Sequence, residues 1–144
     1  MRRLALLLVA VLALAACGSA HKKPSSESAQ AQIKSAYLKF FSAKTSISDR
    51  VALLQNGPKL ENLVKEFAND PLAKNVAVNV SSVKLVGKNQ AKVVYTLKVG
   101  ASSLPPQTGT AVRQNGTWKV GDAGLCKLVA LGGTTPSVCK NRNF

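Results

Sequence analysis

Three cysteines, one histidine and six carboxylates are the side chains of this 144-residue chain best suited to covalent, metal or proton-transfer chemistry. Their placement limits what each can do. Asp49, Glu61, Glu66, Asp70 and Asp122 fall singly along the chain, and Glu61 stands four residues before Lys65, the spacing of an ordinary helix-surface ion pair. No two carboxylates alternate along a strand, and His21 precedes the periodic part of the chain, which leaves that part without an imidazole to act as general base. A metal site meets the same shortage, since Cys126 and Cys139 have no histidine beside them to complete a tetrahedral set. The expectation is a protein that is not an enzyme and that holds no metal and no cofactor.

Cys17 has another chemistry open to it. Arg2 and Arg3 precede an unbroken apolar run over residues 4–16. A spanning helix needs roughly 20 apolar residues, so this run is too short to cross a bilayer. A basic start, a short apolar middle and small residues at the end describe a secretory signal peptide. Leu14-Ala15-Ala16-Cys17 resembles the bacterial lipobox, in which the cysteine sulfur receives a diacylglyceryl group and cleavage leaves it as the mature N-terminus. The resemblance implies a signal peptide over residues 1–16 and lipid on Cys17, with palmitate among the expected acyl groups. It also implies a location on the outer face of the cytoplasmic membrane or in the cell envelope. Once Cys17 is set aside, Cys126 and Cys139 remain as an even pair in a chain that leaves the reducing cytosol, which points to a disulfide. Closing a loop of about 14 residues removes unfolded-chain entropy worth roughly 3 kcal/mol.

Residues 17–28 read as the lipidated cysteine and a flexible tether, rich in serine with glycine, proline and charge and lacking apolar periodicity. The chain carries 20 Lys and Arg against 6 Asp and Glu. Nucleic acid is set aside as a partner because the protein is exported and because an aromatic content of 5% leaves few stacking platforms. The expected partners are the membrane, reached through the anchor, and anionic envelope material such as lipid headgroups, phosphate-bearing wall polymers or acidic glycans. A protein partner is left unidentified. Lys22 and Lys23 either add about 1 kcal/mol each to attraction toward an anionic surface or serve only as solvated linker charge, and the sequence leaves both readings open.

Residues 29–144 carry the periodicity of one domain. Ile33, Ala36, Tyr37 and Phe40 recur at helical spacing and, with Leu38 and Phe41, predict a helix over 27–43. Ser48 and Asp49 offer an N-cap for a short helix through Leu53 and Leu54, ended by Asn56-Gly57. Pro58 suits the first turn of a third helix striped by Leu60, Leu63, Val64 and Phe67 and stopped by Asn69-Asp70-Pro71. The period then changes to two. Val76, Val78 and Val80 alternate, the phase slips, and Val83 and Leu85 resume it, which predicts a bulge near Ser81-Ser82. Gly87-Lys88-Asn89 turns the chain into a strand whose Ala91, Val93, Tyr95, Leu97 and Val99 share one face. Past Pro105-Pro106 a third strand covers 107–114, and Asn115-Gly116 is a hairpin signal into a fourth over 117–120. Asp122 then caps a last helix carrying Leu125, Leu128, Val129 and Leu131 and ended by Gly132-Gly133. Helices packed on an antiparallel sheet of about four strands make an α+β domain. Ser81-Ser82-Val83-Lys84 matches the S-x-x-K of penicillin-recognising serine enzymes, but that nucleophile opens a helix in a larger fold, whereas this tetrad falls in strand-patterned sequence.

Phe40-Phe41, Leu54-Gln55-Asn56-Gly57, Pro71-Leu72-Ala73-Lys74, Gln107-Thr108-Gly109-Thr110, Gly116-Thr117-Trp118-Lys119-Val120 and the pair Cys126 and Cys139 together resemble the C-terminal domain of the low-molecular-weight secreted antigen family of mycobacteria and relatives. The resemblance covers most of residues 31–139. It implies an actinobacterial envelope setting and a cystatin-like or nuclear transport factor 2-like architecture, with helices in the curve of a bent sheet. It brings no reaction with it. Tyr37, Phe40, Phe41, Tyr95 and Trp118 stand where they either fill the core or line a ligand cavity between helices and sheet. Two readings follow: a non-catalytic binding module of the envelope, or a small conical-fold enzyme or carrier of an apolar ligand. A buried carboxylate in a cavity near Tyr37 or Tyr95 would favour the second.

Overall fold

The computed structural model describes residues 26–71, 73–130, 133 and 135–140. The expected signal peptide over 1–16, Cys17, and all but the last three residues of the expected tether lie outside the described residues, as do Leu131 and Gly132.

The first helix, α1 (Ser26–Phe41), buries Ala29, Ile33, Ala36, Tyr37 and Phe40 along one stripe, the three-and-four spacing seen in the sequence. A second helix, α2 (Ile47–Leu53), starts two to three residues earlier than Ser48 and Asp49 suggest, because its N-cap is Ser46. A cap must hold extended backbone while its side chain reaches the first free amides. Ser46 does so, with ψ at 159° and its Oγ accepting from the Asp49 amide at 3.1 Å. Ser48 and Asp49 already sit in helical backbone, and Asp49 instead returns a carboxylate to the Ser46 hydroxyl at 2.7 Å. Pro58 opens a 3₁₀ turn (Gly57–Leu60) that runs into α3 (Glu61–Asn69), where Leu63 and Val64 are buried.

Five strands follow: β1 (Val76–Leu85), β2 (Gln90–Val99), β3 (Ser102–Ser103), β4 (Gln107–Gln114) and β5 (Thr117–Val120). All pairings are antiparallel in the order β1-β2-β4-β5, with the two-residue β3 also pairing β2. The expected bulge is present: the ladder shifts between Val80 and Ser82, which leaves Val80 opposite Tyr95 and returns Val83 opposite Val93 on the same face. Without that slip every apolar residue after Ser81 would point outward. At the other hairpin Asn115 and Gly116 take φ of 53° and 79°, the pair of left-handed conformations a two-residue turn demands.

Helix α1 packs against β1 and also against β5, the outermost strands of the sheet order. A sheet whose two ends both reach one helix is curved around it, and its concave face carries the buried Ala91, Val93, Tyr95, Leu97, Ala111, Trp118 and Val120. The Gln55 amide donates to the Val120 carbonyl at 2.8 Å and ties the end of α2 to β5. After β5 comes α4 (Asp122–Ala130), and a 3₁₀ turn (Ser137–Cys139) returns to it. Cys126 and Cys139 form a disulfide with Cα atoms 5.5 Å apart, both residues fully buried. The architecture is α+β.

Candidate functional site

Helical periodicity places Tyr37, Phe40 and Phe41 at the inner side of α1, and strand alternation places Tyr95 on the concave face of β2. The rings meet. Tyr37 lies 5.3 Å from Tyr95, Phe41 lies 5.9 Å from Tyr95, and Phe40 and Phe41 stand edge to face at 5.2 Å. Phe67 of α3 joins them, stacked on Phe40 at 6.1 Å and edge-on to Phe41 at 6.2 Å. Each such pair is worth about 0.5–1.5 kcal/mol beyond its buried area. Trp118 shares the core at 5% exposure but stands apart from this ring cluster. Four of the five aromatic candidates are therefore brought together, and Phe67, read in the sequence only as a helix stripe residue, completes the group.

Both tyrosines are buried. Tyr37 Oη donates to the Thr110 carbonyl at 2.7 Å. Burial, reinforced by the neighbouring Tyr95, pushes the Tyr37 phenol far above the ordinary tyrosine range, and burial raises Tyr95 as well. Both are neutral at physiological pH, and the Tyr37 proton is committed to a backbone oxygen. Gly109 allows this approach, because a Cβ there would stand 2.7 Å from the Tyr37 hydroxyl and 3.0 Å from a Tyr95 ring carbon. Gln107-Thr108-Gly109 thus has a packing reason for its glycine.

Arg50 is a buried cation that the sequence does not announce. Its residue is 3% exposed, its Nη2 donates to the Ser42 carbonyl at 2.7 Å and its Nε to that of Thr45 at 3.2 Å. Its guanidinium lies over the Phe67 ring, 5.4 Å from the centroid, while Nη1 has no hydrogen-bond partner among the described residues. Burial lowers its pKa from the usual arginine range. These contacts clamp the α1–α2 loop onto the aromatic cluster.

A concavity adjoins this cluster across Gly109 and Gly124, where a Cβ on Gly124 would stand 3.9 Å from the Tyr95 hydroxyl. An open groove of about 500 Å³ runs between β4 and α4, walled by Lys92, Thr108 and Thr110 on the sheet and by Ala123, Gly124 and Lys127 on the helix. None of the five aromatic candidates lines it. Its one carboxylate, Asp122, accepts from Asn56 Nδ2 at 2.9 Å, and the Asn56 side chain and amide pair reciprocally with the Gln114 side chain at 3.3 Å. That network joins the α2–α3 turn, β4 and the start of α4. Glu61 pairs with Lys65 at 2.8 Å, half exposed on each side and so worth little to stability. No cluster of three or more potential metal ligands occurs among the described residues. Ser81 Oγ donates to the Val94 carbonyl at 3.0 Å at the bulge, so the S-x-x-K tetrad is strand structure here.

The family described as low molecular weight antigen MTB12, C-terminal domain, matches residues 26–136, from the first turn of α1 to the loop before Cys139. No curated protein matches the chain.

Proposed function

The chain belongs to the family of the low molecular weight antigen MTB12 C-terminal domain, and from that premise we propose that it is a lipid-anchored module of the bacterial cell envelope that binds a partner and catalyses no reaction. The observation that carries the binding half is the filled interior. In a conical fold the space between helix and curved sheet is where a substrate or apolar ligand would sit. Here Tyr37, Phe40, Phe41 and Tyr95 occupy it at 3% exposure or less, and the nearest phenol is hydrogen-bonded to backbone. The buried carboxylate, Asp122, lines the open groove beside α4 and is held by Asn56. This arrangement supports a domain that presents surfaces rather than encloses a reaction.

The anchoring half rests on Leu14-Ala15-Ala16-Cys17 behind a short apolar run. No helix among the described residues is long and apolar enough to cross a membrane; in this reading the acyl groups on Cys17 supply the attachment. Washing isolated envelopes tests both halves. The wild-type protein is expected to resist high salt and to come off in detergent, while a Cys17→Ser chain, held by charge alone, is expected to bind at low salt and wash off as salt rises. Wild-type protein released by salt would remove the anchor from the account, and a Cys17→Ser chain with no affinity at low salt would remove the electrostatic attraction.

A further inference from the structure

Charge in this domain is segregated in a way that total counts hide. Residues 71–121 contain no Asp or Glu and seven basic residues, so every strand lies in an acid-free segment. The acidic residues of the described chain belong to helices or their ends, at Glu27, Asp49, Glu61, Glu66, Asp70 and Asp122. On the convex face of the sheet, opposite the buried residues of β2 and β5, stand Lys84, Lys92, Lys98 and Lys119. Lys84 and Lys92 are direct cross-strand partners in the β1–β2 ladder. Like charges placed opposite one another destabilise a sheet, and an anion laid over them relieves the repulsion.

The same end of the sheet carries an exposed apolar tip. Val86 follows β1 and is 54% exposed, the most exposed of the large hydrophobic residues described. Lys84 precedes it, Lys88 follows it in the turn, and Val86 and Lys92 both border the groove that Lys127 closes from α4. An apolar residue flanked in the chain by Lys84 and Lys88, with no carboxylate in the turn, suits the interface of an anionic bilayer. Phosphates there meet the ammonium groups while the valine reaches the acyl boundary.

The first turns of α1 lie near this same end. Gln30, in the second turn of α1, donates its Nε2 to the Val83 carbonyl at 3.1 Å. The first turns of α1 and the end of β1 that leads into the β1–β2 turn are therefore neighbours. We propose that the β1–β2 turn, with Lys84, Val86, Lys88 and Lys92, is a docking surface for the phosphate headgroups of an anionic lipid membrane. The proposal rests on the anchored reading above for its geometry.

Amide hydrogen exchange on the full acylated chain, in vesicles of phosphatidylcholine alone or mixed with phosphatidylglycerol, tests it. Amides over residues 84–92 are expected to gain protection only in the phosphatidylglycerol vesicles and to lose it at high salt. Each lysine at an anionic surface strengthens attraction roughly fivefold, so Lys84→Gln with Lys92→Gln should weaken that protection on the order of 30-fold. The control pair Lys39→Gln with Lys59→Gln, in the last turn of α1 and in the 3₁₀ turn before α3, should leave it unchanged. Both pairs replace exposed side chains, and a thermal melt confirms that each variant folds. Equal protection in neutral vesicles, protection elsewhere, or protection by isolated cell wall but not by vesicles would overturn the lipid surface. An intact-mass reading of the same sample separates the two ideas: acylated Cys17 without lipid-dependent protection overturns the docking and leaves the anchor, and a free Cys17 with that protection does the reverse.

Discussion

Tyr37 shows how much one side chain settles. Its place at helical spacing was readable, yet the partner of its hydroxyl was not, because the Thr110 carbonyl lies on a strand 73 residues away. Removing that hydroxyl with Tyr37→Phe is expected to cost about 1 kcal/mol in urea denaturation, since the Thr110 carbonyl keeps the Gly121 amide as a second donor at 2.7 Å. The raised phenols set a pH dependence whose sign follows from proton counting. In the unfolded chain both tyrosines lose their protons near pH 10, while in the fold they keep them, so above about pH 10 the unfolded state binds fewer protons and stability falls as pH rises. Because the chain has 2 tyrosines and both are buried, tyrosinate absorbance should appear only with unfolding. A smooth titration near pH 10 in folded protein would contradict the buried arrangement. Arg50 was not legible at this scale. A lone arginine in a short helix reads as surface charge, and only the loop carbonyls of Ser42 and Thr45 and the Phe67 ring explain its burial.

Most elements were legible wherever periodicity or turn chemistry speaks locally. The alternation over β2, the phase slip at Ser81-Ser82 and the Asn115-Gly116 turn each have one physical solution, and the ladder adopts it. Ser46 escaped because Ser48 and Asp49 are cap-competent residues two and three positions further on, and the choice depends on backbone angles. Strand β3 escaped because two serines carry no alternation; Ser102 and Ser103 pair with Val99 and Lys98 simply because the chain doubles back there. The disulfide is the element-scale prediction. Cys126 sits in α4 and Cys139 in the turn that returns to it, 13 residues apart. Denatured, unreduced protein should expose no alkylatable thiol at either position, and reduction should lower stability by roughly 3 kcal/mol, the entropy restored to a loop of that length. Two reactive thiols in unreduced protein would remove the clamp.

The whole molecule divides into an acid-bearing helical layer and an acid-free sheet, with a filled aromatic interior between them. The strong basic excess was plain from composition, but the placement of Lys84, Lys92, Lys98 and Lys119 together on the convex face was not. Opposing Lys84 to Lys92 requires a register, and the register depends on the bulge. The groove was equally hidden, since it forms between a strand and a helix whose lining residues are not neighbours in the chain. The account at this scale is of a domain held at a membrane by lipid on Cys17, its basic sheet facing anionic material. Intact-mass analysis of the mature protein extracted from its envelope is the most direct test. The account predicts a chain that starts at Cys17 and carries the added mass of its acyl groups; a mature N-terminus at another residue, or an unmodified Cys17, would contradict it.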